Sequence, residues 1–386
     1  MTEIKLQGYR RGSRFGIRNH IIIMSSVSCV NSFVQQAAIM DKSIIPITHQ
    51  HGCDHIGKDR EQVLRTLVGV CNNPNVGGIL LIGLGCENIT VDNISEKVNT
   101  EGKILKKIIV QEIGKKEDLF DLIKKYINEI KEVVSKHEKE EFNISKLIIG
   151  LECGGSDAFT GITANPSVGK VSDKLVGYGS TVVLSEIPEM IGAKNALKEI
   201  IEDESVREKL FSRIDYYIKV SKDCGCDLIG VNPTPGNIKG GISSIEEKSL
   251  GCIAKAGTSK IKEFVDYATA PESNGLVVMD TPGNDAESIT GISAGGANLI
   301  LFTTGLGTPL GSPIMPVIKI SSNTKTFKNM RDFIDVDAGK IIDGTSLDDV
   351  SEEIFSFLIE VSNGKQTVSE INKSWEFSIN RIGPTF

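Results

Sequence analysis

The distribution of apolar and polar positions along the chain predicts layered α/β structure. Short runs rich in Ile, Val and Leu recur throughout, and most lack alternation, which is typical of parallel strands covered on both faces. The predicted strands are residues 18–25, 44–48, 78–85, 108–111, 146–151, 181–185, 227–231, 275–280, 298–304 and 317–321. Helix-like segments lie between them, including residues 28–40, 60–71, 188–222 and 347–362. Strands that alternate with helices favour an α/β fold.

A charged amphipathic segment divides the chain into two predicted domains. Residues 115–141 carry apolar side chains at helical spacing, at Leu119, Leu122, Ile123, Tyr126, Ile127, Ile130, Val133 and Val134. A new apolar strand, KLIIGLE, follows this helix, and a chain of 386 residues is long enough for about two domains. We therefore predict a smaller N-terminal α/β domain at residues 1–143 and a second domain at residues 144–386.

Composition and charge narrow the possible partners. Hydrophobic residues make up 40% of the chain and charged residues 24%, and the net charge is −7 without an obvious basic stripe, so we expect no nucleic acid partner. The exception is the group Arg10, Arg11, Arg14 and Arg18, which indicates either a solvated surface or a site for a small anion. The longest apolar runs have the length of strands, and no signal-type segment begins the chain. We expect a cytoplasmic protein without a membrane partner.

The loops after the predicted strands contain most of the candidate chemistry. In open parallel sheets, ligands bind at the carboxyl ends of the strands, where the connecting loops converge. These loops read THQHGCDH, GLGCEN, LECGGSDAFTGITANP, SEIPEM, NPTPGN, DTPGND and TTGLGTPLG. They are rich in thiol, imidazole, carboxyl and amide groups, so we predict that the functional site lies at this edge of the sheet.

Several of these groups are possible metal ligands. The His and Cys residues of the first loop, Cys86 and the pair Glu152–Cys153 follow different predicted strands. Thiolate and imidazole favour iron or zinc, whereas carboxylates broaden the choice of metal. No paired C-x2-C is present in these loops, so a zinc finger is not indicated. Cys53, Cys86 and Cys153 could also hold an iron–sulfur cluster. Alternatively, such cysteines are small buried hydrophobes, which is what we expect of Cys29, Cys71 and Cys252.

The glycine-rich loops do not match the common nucleotide or hydrolase motifs. The glycines of TTGLGTPLG do not form G-x-G-x-x-G, and no G-x-S-x-G surrounds Ser156. Ser156 and Asp157 follow two glycines, so backbone donors, a hydroxyl and a carboxylate come together there. This loop suits a substrate carboxylate or a metal, although loop flexibility alone also explains the glycines.

Taken together, the loops resemble the altronate/galactarate dehydratase family. The match begins at GYRRGSRFGIRN and continues through the strand-end loops, SEIPEMIGA and EEKSLGCIAKAGT to KISSN near residue 323. The resemblance implies dehydration of hexonates or hexarates, with Fe²⁺ as the usual metal. It also implies a dimer-forming first domain and a Rossmann-like C-terminal parallel sheet flanked by helices. One branch of the family eliminates sulfite from sulfolactate.

The chain departs from the family pattern at three places. Single-chain members begin with a small SAF-type domain, whereas this chain starts at the core motif, so we expect a separate small SAF-domain subunit. GNIKGG stands where some relatives read GNKAGG, which shifts the lysine to Lys239, while Lys248 aligns without a shift. Leu306 occupies the position of an arginine in GRGTP, which leaves the choice of substrate open.

The resemblance and the loop positions together give three groups of candidate residues. The predicted metal ligands are His49, Cys53, Cys86, Glu152, Cys153 and Glu186. The predicted acid–base residues are Lys248, Lys239, Asp157 and Asp285. The predicted substrate-binding residues are Arg18, Asn19, Ser156, Asn165, Asn232, Asn237 and Asn284.

The sequence therefore predicts a metal-dependent hydro-lyase that converts a sugar acid to a 2-keto-3-deoxy acid. Its expected cofactor is Fe²⁺, with an iron–sulfur cluster or another divalent metal as alternatives. Its expected partners are a sugar acid, a small SAF-domain subunit and a second copy of the chain. Two other functions stay open, the large subunit of a sulfolactate sulfo-lyase and a non-catalytic subunit that binds a sugar acid.

Overall fold

The computed structural model describes residues 3–226, 228, 232–383 and 385. Its strands, in chain order, are β1 Lys5–Arg11, β2 Arg14–Gly16, β3 His20–Ser25, β4 Ile44–Ile47, β5 Val76–Gly83, β6 Ile104–Ile109, β7 Glu140–Asn143, β8 Ile148–Cys153, β9 Thr181–Leu184, β10 Ile261–Val265, β11 Gly275–Met279, β12 Leu299–Thr304, β13 Val317–Ser321 and β14 Val336–Asp337. Its α-helices are α1 Asn31–Met40, α2 Gly57–Asn72, α3 Val91–Ser95, α4 Lys116–Val134, α5 Ala164–Gly177, α6 Lys194–Ile200, α7 Glu204–Asp223, α8 Pro235–Lys239, α9 Ile245–Ile253, α10 Asp285–Ala294, α11 Thr324–Asn329, α12 Leu347–Ser362 and α13 Val368–Ile371.

The larger sheet consists of seven parallel strands in the order β10-β11-β9-β8-β12-β13-β14. Its central strands are almost entirely apolar and buried, so both faces require cover. Side chains of α5, α7 and α12 pack on one face, and those of α2 and α10 pack on the other. This arrangement brings the carboxyl ends of β8, β9, β11 and β12 to one edge.

A smaller parallel sheet, in the order β4-β3-β5-β6, forms the N-terminal region. Helices α1 and α4 cover one of its faces. Helix α2 packs on its other face. The apolar side chains of α2 belong to the same hydrophobic core as those of α10, which packs on the larger sheet. The antiparallel strands β2-β1-β7 form a third sheet, and residue 143, the predicted boundary, is the last residue of β7. The predicted α/β fold, with a Rossmann-like parallel sheet and a smaller N-terminal α/β region, is confirmed.

Three buried asparagines join the N-terminal region to the larger sheet. The Asn75 side chain accepts a hydrogen bond from the Ile17 N–H at 2.9 Å and donates to the carbonyls of Asn298 and Ile314 at 2.8 and 3.0 Å. The Asn73 side chain donates to two carbonyls at the end of α10, and Asn298 donates to the carbonyl of Phe15. Because these backbone groups have no access to water, the asparagines replace it as partners.

Most predicted elements occur close to their predicted positions, with a few differences. Strand β6 begins four residues before the predicted start at residue 108, and five strands were not predicted: β1, β2, β7, β10 and β14. The predicted helix at 188–222 is a 3₁₀ segment followed by α6 and α7, because Asp203 caps a new helix. The predicted strand at 227–231 lies largely outside the described residues. Among the described helices, none has both the length and the apolar character required to cross a membrane.

The asparagine contacts predict a large loss of stability when Asn75 is truncated. Asn75→Ala leaves one N–H and two carbonyls buried without partners, and each such group costs about 1–3 kcal/mol. We expect the free energy of unfolding in urea to fall by roughly 3 kcal/mol or more. The matched control is Asn363→Ala, since the exposed Asn363 accepts one hydrogen bond from the Gln7 N–H. Equal effects of the two variants would contradict the proposed role of Asn75.

Candidate active site

The carboxyl ends of β8 and β9 bring Glu152, Cys153 and Glu186 together. The two strands are parallel neighbours with Leu151 opposite Leu184, so the residues that follow lie side by side. The N–H of Cys153 donates a hydrogen bond of 3.0 Å to Glu186 Oε2. Glu186 has a φ of 66°, a left-handed conformation that turns the chain away from β9. This turn directs the Glu186 carboxylate back over the end of β8.

Glu186 forms a fully buried ion pair with Lys255. The distance between Lys255 Nζ and Glu186 Oε2 is 2.6 Å, and the two side chains are 0% and 1% exposed. Burial opposes the charge of this ammonium, but the acidic groups around it outweigh burial and raise the pKa of Lys255. The ammonium therefore remains charged and holds Glu186 in place.

Helix α9 and the turn after it supply Lys248, Cys252 and Lys255 to the same cluster. Their spacing of four and three residues places them on one face of a helix. The Sγ atoms of Cys252 and Cys153 lie 3.8 Å apart, and both thiols are buried. The contact with Cys252 and the burial of the site together raise the pKa of the Cys153 thiol. The environment of the cluster therefore favours the thiol form of Cys153.

Glu152 is buried with an unusual set of partners. Its Oε2 accepts hydrogen bonds from Ser288 at 2.7 Å and Ser185 at 3.0 Å, whereas its Oε1 has no hydrogen-bond partner among the described residues. Burial and the nearby Glu186 raise the pKa of Glu152 well above its usual value. Burial and the charges of Glu186 and Glu189 also raise the pKa of Asp285, to about 7. This concentration of carboxyl groups is energetically costly without a positive partner.

Glu189 and Lys248 form a second ion pair beside the first. Lys248 Nζ donates to Glu189 Oε1 at 3.0 Å and to Asn232 Oδ1 at 2.7 Å. Burial alone would lower the pKa of Lys248, but the attraction of the Glu189 carboxylate and of the other acidic groups nearby together outweighs burial and raises this pKa. Burial raises the pKa of Glu189, whose Oε2 has no hydrogen-bond partner in the part of the chain that the structure describes. One oxygen of Glu189 is thus available for a ligand.

A cavity of about 410 Å³ opens onto this cluster. Its lining includes Cys153, Ser156, Glu189, Asn232, Asn237, Lys248, Asp285 and Leu306. Among the described residues of this lining, Lys248 is the one cationic side chain. The cavity has the size of a small-molecule site and combines acidic, amide, hydroxyl and amine groups.

Two groups of three side chains in the cluster have ligand atoms close enough to share a metal ion. Glu152, Glu186 and Asp285 form one group, and Cys153, Glu186 and Cys252 form the other, each with atoms within 4.8 Å of one another. The four carboxyls of Glu152, Glu186, Glu189 and Asp285 exceed the two ammonium groups of Lys248 and Lys255 by two. A divalent cation would balance this excess, and Glu152 Oε1 is an oxygen without another partner.

The structure brings together many of the residues that the sequence predicted. Glu152, Cys153, Glu186, Lys248 and Asp285 belong to the cluster. Ser156, Asn232 and Asn237 line the cavity beside it.

The candidates from the N-terminal region lie elsewhere. His49 is buried, and both of its ring nitrogens contact backbone groups, the Ser25 carbonyl at 2.8 Å and the His51 N–H at 3.1 Å. Cys53 and Cys86 are exposed, and neither belongs to a group of three ligand atoms among the described residues. Arg18 forms a bidentate ion pair with Glu370.

Asn19, from the same region, accepts a hydrogen bond from Arg11 and donates to the carbonyl of Val134. It precedes β3, so it lies at the amino end of that strand.

The remaining candidates have structural contacts near the cavity. Asp157 accepts hydrogen bonds from Thr160, Ser322 and Asn323, which occupy both of its oxygens. The Asn165 amide bonds to Gly251 and Thr303, and Asn284 caps α10. Lys239, the last residue of α8, is exposed and does not line the cavity.

Three members of the cluster were missed in the sequence: Glu189, Lys255 and Ser288. The sequence predicts a packing role for Cys252, and this thiol is buried against Cys153. The spacing of Lys248, Cys252 and Lys255 on one helical face was the available signal, since polar and thiol groups rarely share a buried helix face without a reason.

The cluster combines buried acidic, amine and thiol groups, and it opens to a cavity at the carboxyl ends of a parallel α/β sheet. Such a site defines an enzyme with acid–base chemistry. Residues 144–385 match the family model of the C-terminal domain of D-galactarate/altronate dehydratase. Residues 8–137 match the model of the second domain of D-galactarate dehydratase/altronate hydrolase. The chain belongs to the altronate/galactarate dehydratase family.

Characterised relatives extend along nearly the whole chain. Altronate dehydratase of Escherichia coli strain K12 is 34% identical over 99% of this chain and 78% of its own length. Altronate dehydratase of Bacillus subtilis strain 168 is 35% identical over 98% of this chain and 78% of its own length. The (2R)-sulfolactate sulfo-lyase subunit beta of Chromohalobacter salexigens is 32% identical over 97% of both chains. The prediction of an enzyme of the hydro-lyase class is confirmed, which disfavours a non-catalytic subunit.

The buried ion pair predicts a strong dependence of the fold on Lys255. Lys255→Met leaves the Glu186 carboxylate buried without its partner, and we expect a loss of about 3–5 kcal/mol in the free energy of unfolding. The double variant Glu186→Gln with Lys255→Met removes both charges and should recover part of this loss in urea titrations. Lys260→Met is the control, because Lys260 is partly exposed and lies 3.8 Å from Glu202. A double variant as unstable as Lys255→Met would rule out the pair as the cause.

Proposed function

We propose that this protein is a metal-dependent dehydratase of a sugar acid with one carboxylate, a hexonate such as altronate, which it converts to a 2-keto-3-deoxy acid. The observation that supports this proposal most directly is the 410 Å³ cavity, which joins one ammonium group to a buried excess of carboxyls. A hexonate offers the matching groups, one carboxylate and a chain of hydroxyls.

The acidic cluster fits a divalent metal better than an iron–sulfur cluster. Glu152, Glu186 and Asp285 would hold the ion with carboxylate oxygens, which Fe²⁺ and similar divalent metals accept. When bound, the metal supplies a Lewis acid that stabilises negative charge on the substrate oxygens. Cys153 is buried at the end of β8, whereas Cys53 and Cys86 are exposed in the N-terminal region and share no group of ligand atoms with Cys153 among the described residues, which favours a divalent metal.

Lys248 is suited to bind the C1 carboxylate. An ammonium has three donors, and Glu189 and Asn232 take two of them. The third donor remains for a ligand in the cavity that Lys248 lines. Ser156, Asn232 and Asn237 offer hydroxyl and amide groups to the hydroxyls of the sugar acid.

Glu189 is suited to transfer the proton. Its carboxylate removes the proton from C2, the C–H electrons form the C2–C3 double bond, and the C3–O bond breaks. Glu189 then returns this proton to the departing hydroxide, which leaves as water, and the enol product becomes a 2-keto-3-deoxy acid. A single residue therefore balances the reaction and ends in its starting ionisation state. The free Oε2 of Glu189 supports this role.

The charges of the cavity favour a substrate with a single acidic group. Hexarates and sulfolactate carry two acidic groups, whereas Lys248 is the one cation in the described lining. Leu306 adds an apolar, 45% exposed side chain to the same wall, so a second acidic group would meet no cationic partner among the described residues of the lining. This contrast supports a hexonate over the dianionic substrates.

Sulfolactate elimination is the second candidate function, because the sulfo-lyase subunit beta matches this chain over 97% of both lengths. The name of that relative also supports our proposal that the chain works with a separate small subunit, for which we expect a SAF domain. We further propose a homodimer of this chain. Mass measurement of the purified complex tests both assignments.

An activity panel tests the proposed reaction. The protein is loaded anaerobically with Fe²⁺, with and without the small subunit, and is given hexonates, hexarates and sulfolactate. We expect a 2-keto-3-deoxy acid from a hexonate, with a lower kcat/KM for the dianionic substrates. No 2-keto product from any sugar acid would overturn the function, and sulfite release from sulfolactate would establish the second candidate.

Two substitutions test the roles of Glu189 and Lys248. Glu189→Gln should lower kcat about 10²–10⁴-fold, the usual contribution of general acid–base catalysis, with little change in KM. Lys248→Gln should raise KM, because it removes the contact with the C1 carboxylate, and it should also lower kcat, because it removes the ion-pair partner of Glu189. Glu246→Gln is the control, since Glu246 is exposed at the start of α9. Unchanged kcat in Glu189→Gln would remove this residue from the chemistry.

Metal content tests the ligand assignment independently of activity. Asp285→Asn and Glu152→Gln each remove a charged oxygen ligand, so the bound metal measured by elemental analysis should fall from about one per chain to well below half. Cys86→Ser should retain the metal, because Cys86 is exposed and outside the cluster. Metal loss in Cys86→Ser together with retention in Asp285→Asn would favour the N-terminal thiols instead. A visible charge-transfer band would indicate an iron–sulfur cluster.

A further inference from the structure

A second cavity, of about 580 Å³, lies between the N-terminal region and the larger sheet. Its wall includes the second half of α2, the turn between β1 and β2, the segment before β6 and the end of α10. These segments precede β5, β6 and β12, so the cavity lies at the amino ends of those strands. The active site lies at the opposite, carboxyl ends of the larger sheet.

Cationic side chains dominate the polar lining of this cavity. They are Arg11, Arg14, Arg65, Lys97 and Lys103, whereas the acidic side chains are the exposed Glu61 and Glu101. Within the part of the chain that the structure describes, none of the five cations forms an ion pair. Their positive charge is therefore unbalanced at short range.

Three of these cations bond only to uncharged groups. Arg11 donates to backbone carbonyls and to Asn19, and Arg65 donates to the carbonyl of Tyr267 at 2.8 Å. Lys103 donates to the carbonyls of Cys71 and Asn73, both at 2.7 Å. These contacts fix the positions of the cations but leave their charges uncompensated.

The guanidinium of Arg14 has neither a hydrogen bond nor an ion pair to any described residue. Its guanidinium lies against Gly296, where an added Cβ would come within 2.3 Å of Nη1. Burial lowers the pKa of Arg14, and burial together with Arg11 and Arg14 lowers the pKa of Lys103 to about 7. Since a guanidinium stays protonated, a partly buried group of like charges is costly unless an anion joins it.

The rest of the wall is apolar. Leu64, Val68, Ala268 and Ala294 provide carbon surface beside the cations. A small molecule with an organic body and a charged end would contact both kinds of surface, and the volume lies in the range of small-molecule sites.

We propose that this cavity is a second ligand site, which binds a small organic anion with at least two negative charges, a phosphate ester or a polycarboxylate. Arg14 supplies the free bidentate donor for its phosphate or carboxylate group. The site is separate from the substrate cavity, because α10 begins with Asp285 in the substrate cavity and ends with Ala294 in this one. Ten helical residues separate the two by roughly 15 Å.

Isothermal titration tests this site with two defined probes, inorganic phosphate and citrate, at constant ionic strength in chloride. We expect saturable binding of at least one probe to the full-length protein, and the tighter probe identifies the acidic group that the site prefers. Arg14→Gln should weaken this binding at least tenfold. Arg10→Gln is the matched control, because Arg10 lies on the neighbouring strand β1, pairs with the partly exposed Glu140 and does not line the cavity, and it should bind within twofold of the unchanged protein.

Further variants keep the test decisive. Lys97→Gln, at an exposed position in the lining, should weaken binding at least threefold even if Arg14→Gln does not fold. Lys248→Gln should bind the probe with unchanged affinity, because Lys248 belongs to the other cavity. The proposal is overturned if neither probe binds, if Arg14→Gln folds and binds as the unchanged protein does, or if Lys248→Gln abolishes the binding. The outcome is independent of the proposed dehydratase reaction.

Discussion

The buried ion pair of Lys255 and Glu186 is the contact on which the geometry of the active site depends. It joins the end of β9 to the turn after α9, and the Glu186 carboxylate also binds the backbone of Cys153 at the end of β8. A buried ion pair gains little net stability, because the desolvation of both charges offsets their attraction. Its effect here is positional: it sets three chain segments at fixed distances around one small volume.

More carboxyl groups than ammonium groups surround that volume. Glu152, Glu186, Glu189 and Asp285 surround it, and the two lysines neutralise half of them. A protein optimised for stability alone would replace such groups with apolar side chains of similar size. This cost in free energy is offset elsewhere in the fold. The apolar strands and the buried asparagines between the two sheets stabilise the structure.

The sequence was most informative where a strand ends. The apolar run before Glu152 and Cys153 identified β8, and parallel neighbours bring their carboxyl ends together, so Glu186 could be placed near them. The histidine-rich loop was a poorer guide to the site. Both ring nitrogens of His49 contact backbone groups, which a sequence motif does not reveal. The spacing of Lys255 with Lys248 and Cys252 indicates a shared helix face, but the sequence does not show that this face meets the ends of β8 and β9.

Strand β10 escaped prediction for a different reason. It is an edge strand with exposed and partly exposed central residues, so it lacks the apolar run of its neighbours. Nor could the sequence predict that Arg14 has no acidic partner among the described residues. It shows a cluster of arginines but not which of them form ion pairs.

Helix α10 gives the molecule a property that neither cavity has alone. Its first residue, Asp285, borders the substrate cavity, its last residue, Ala294, borders the cationic one, and Tyr267 ties the helix to Arg65 through hydrogen bonds of 2.7 and 2.8 Å. A ligand that displaced this helix at one cavity would also move the residues that the helix contributes to the other. Thermodynamic reciprocity then requires that any factor by which one ligand alters the affinity of the second is matched in the reverse direction.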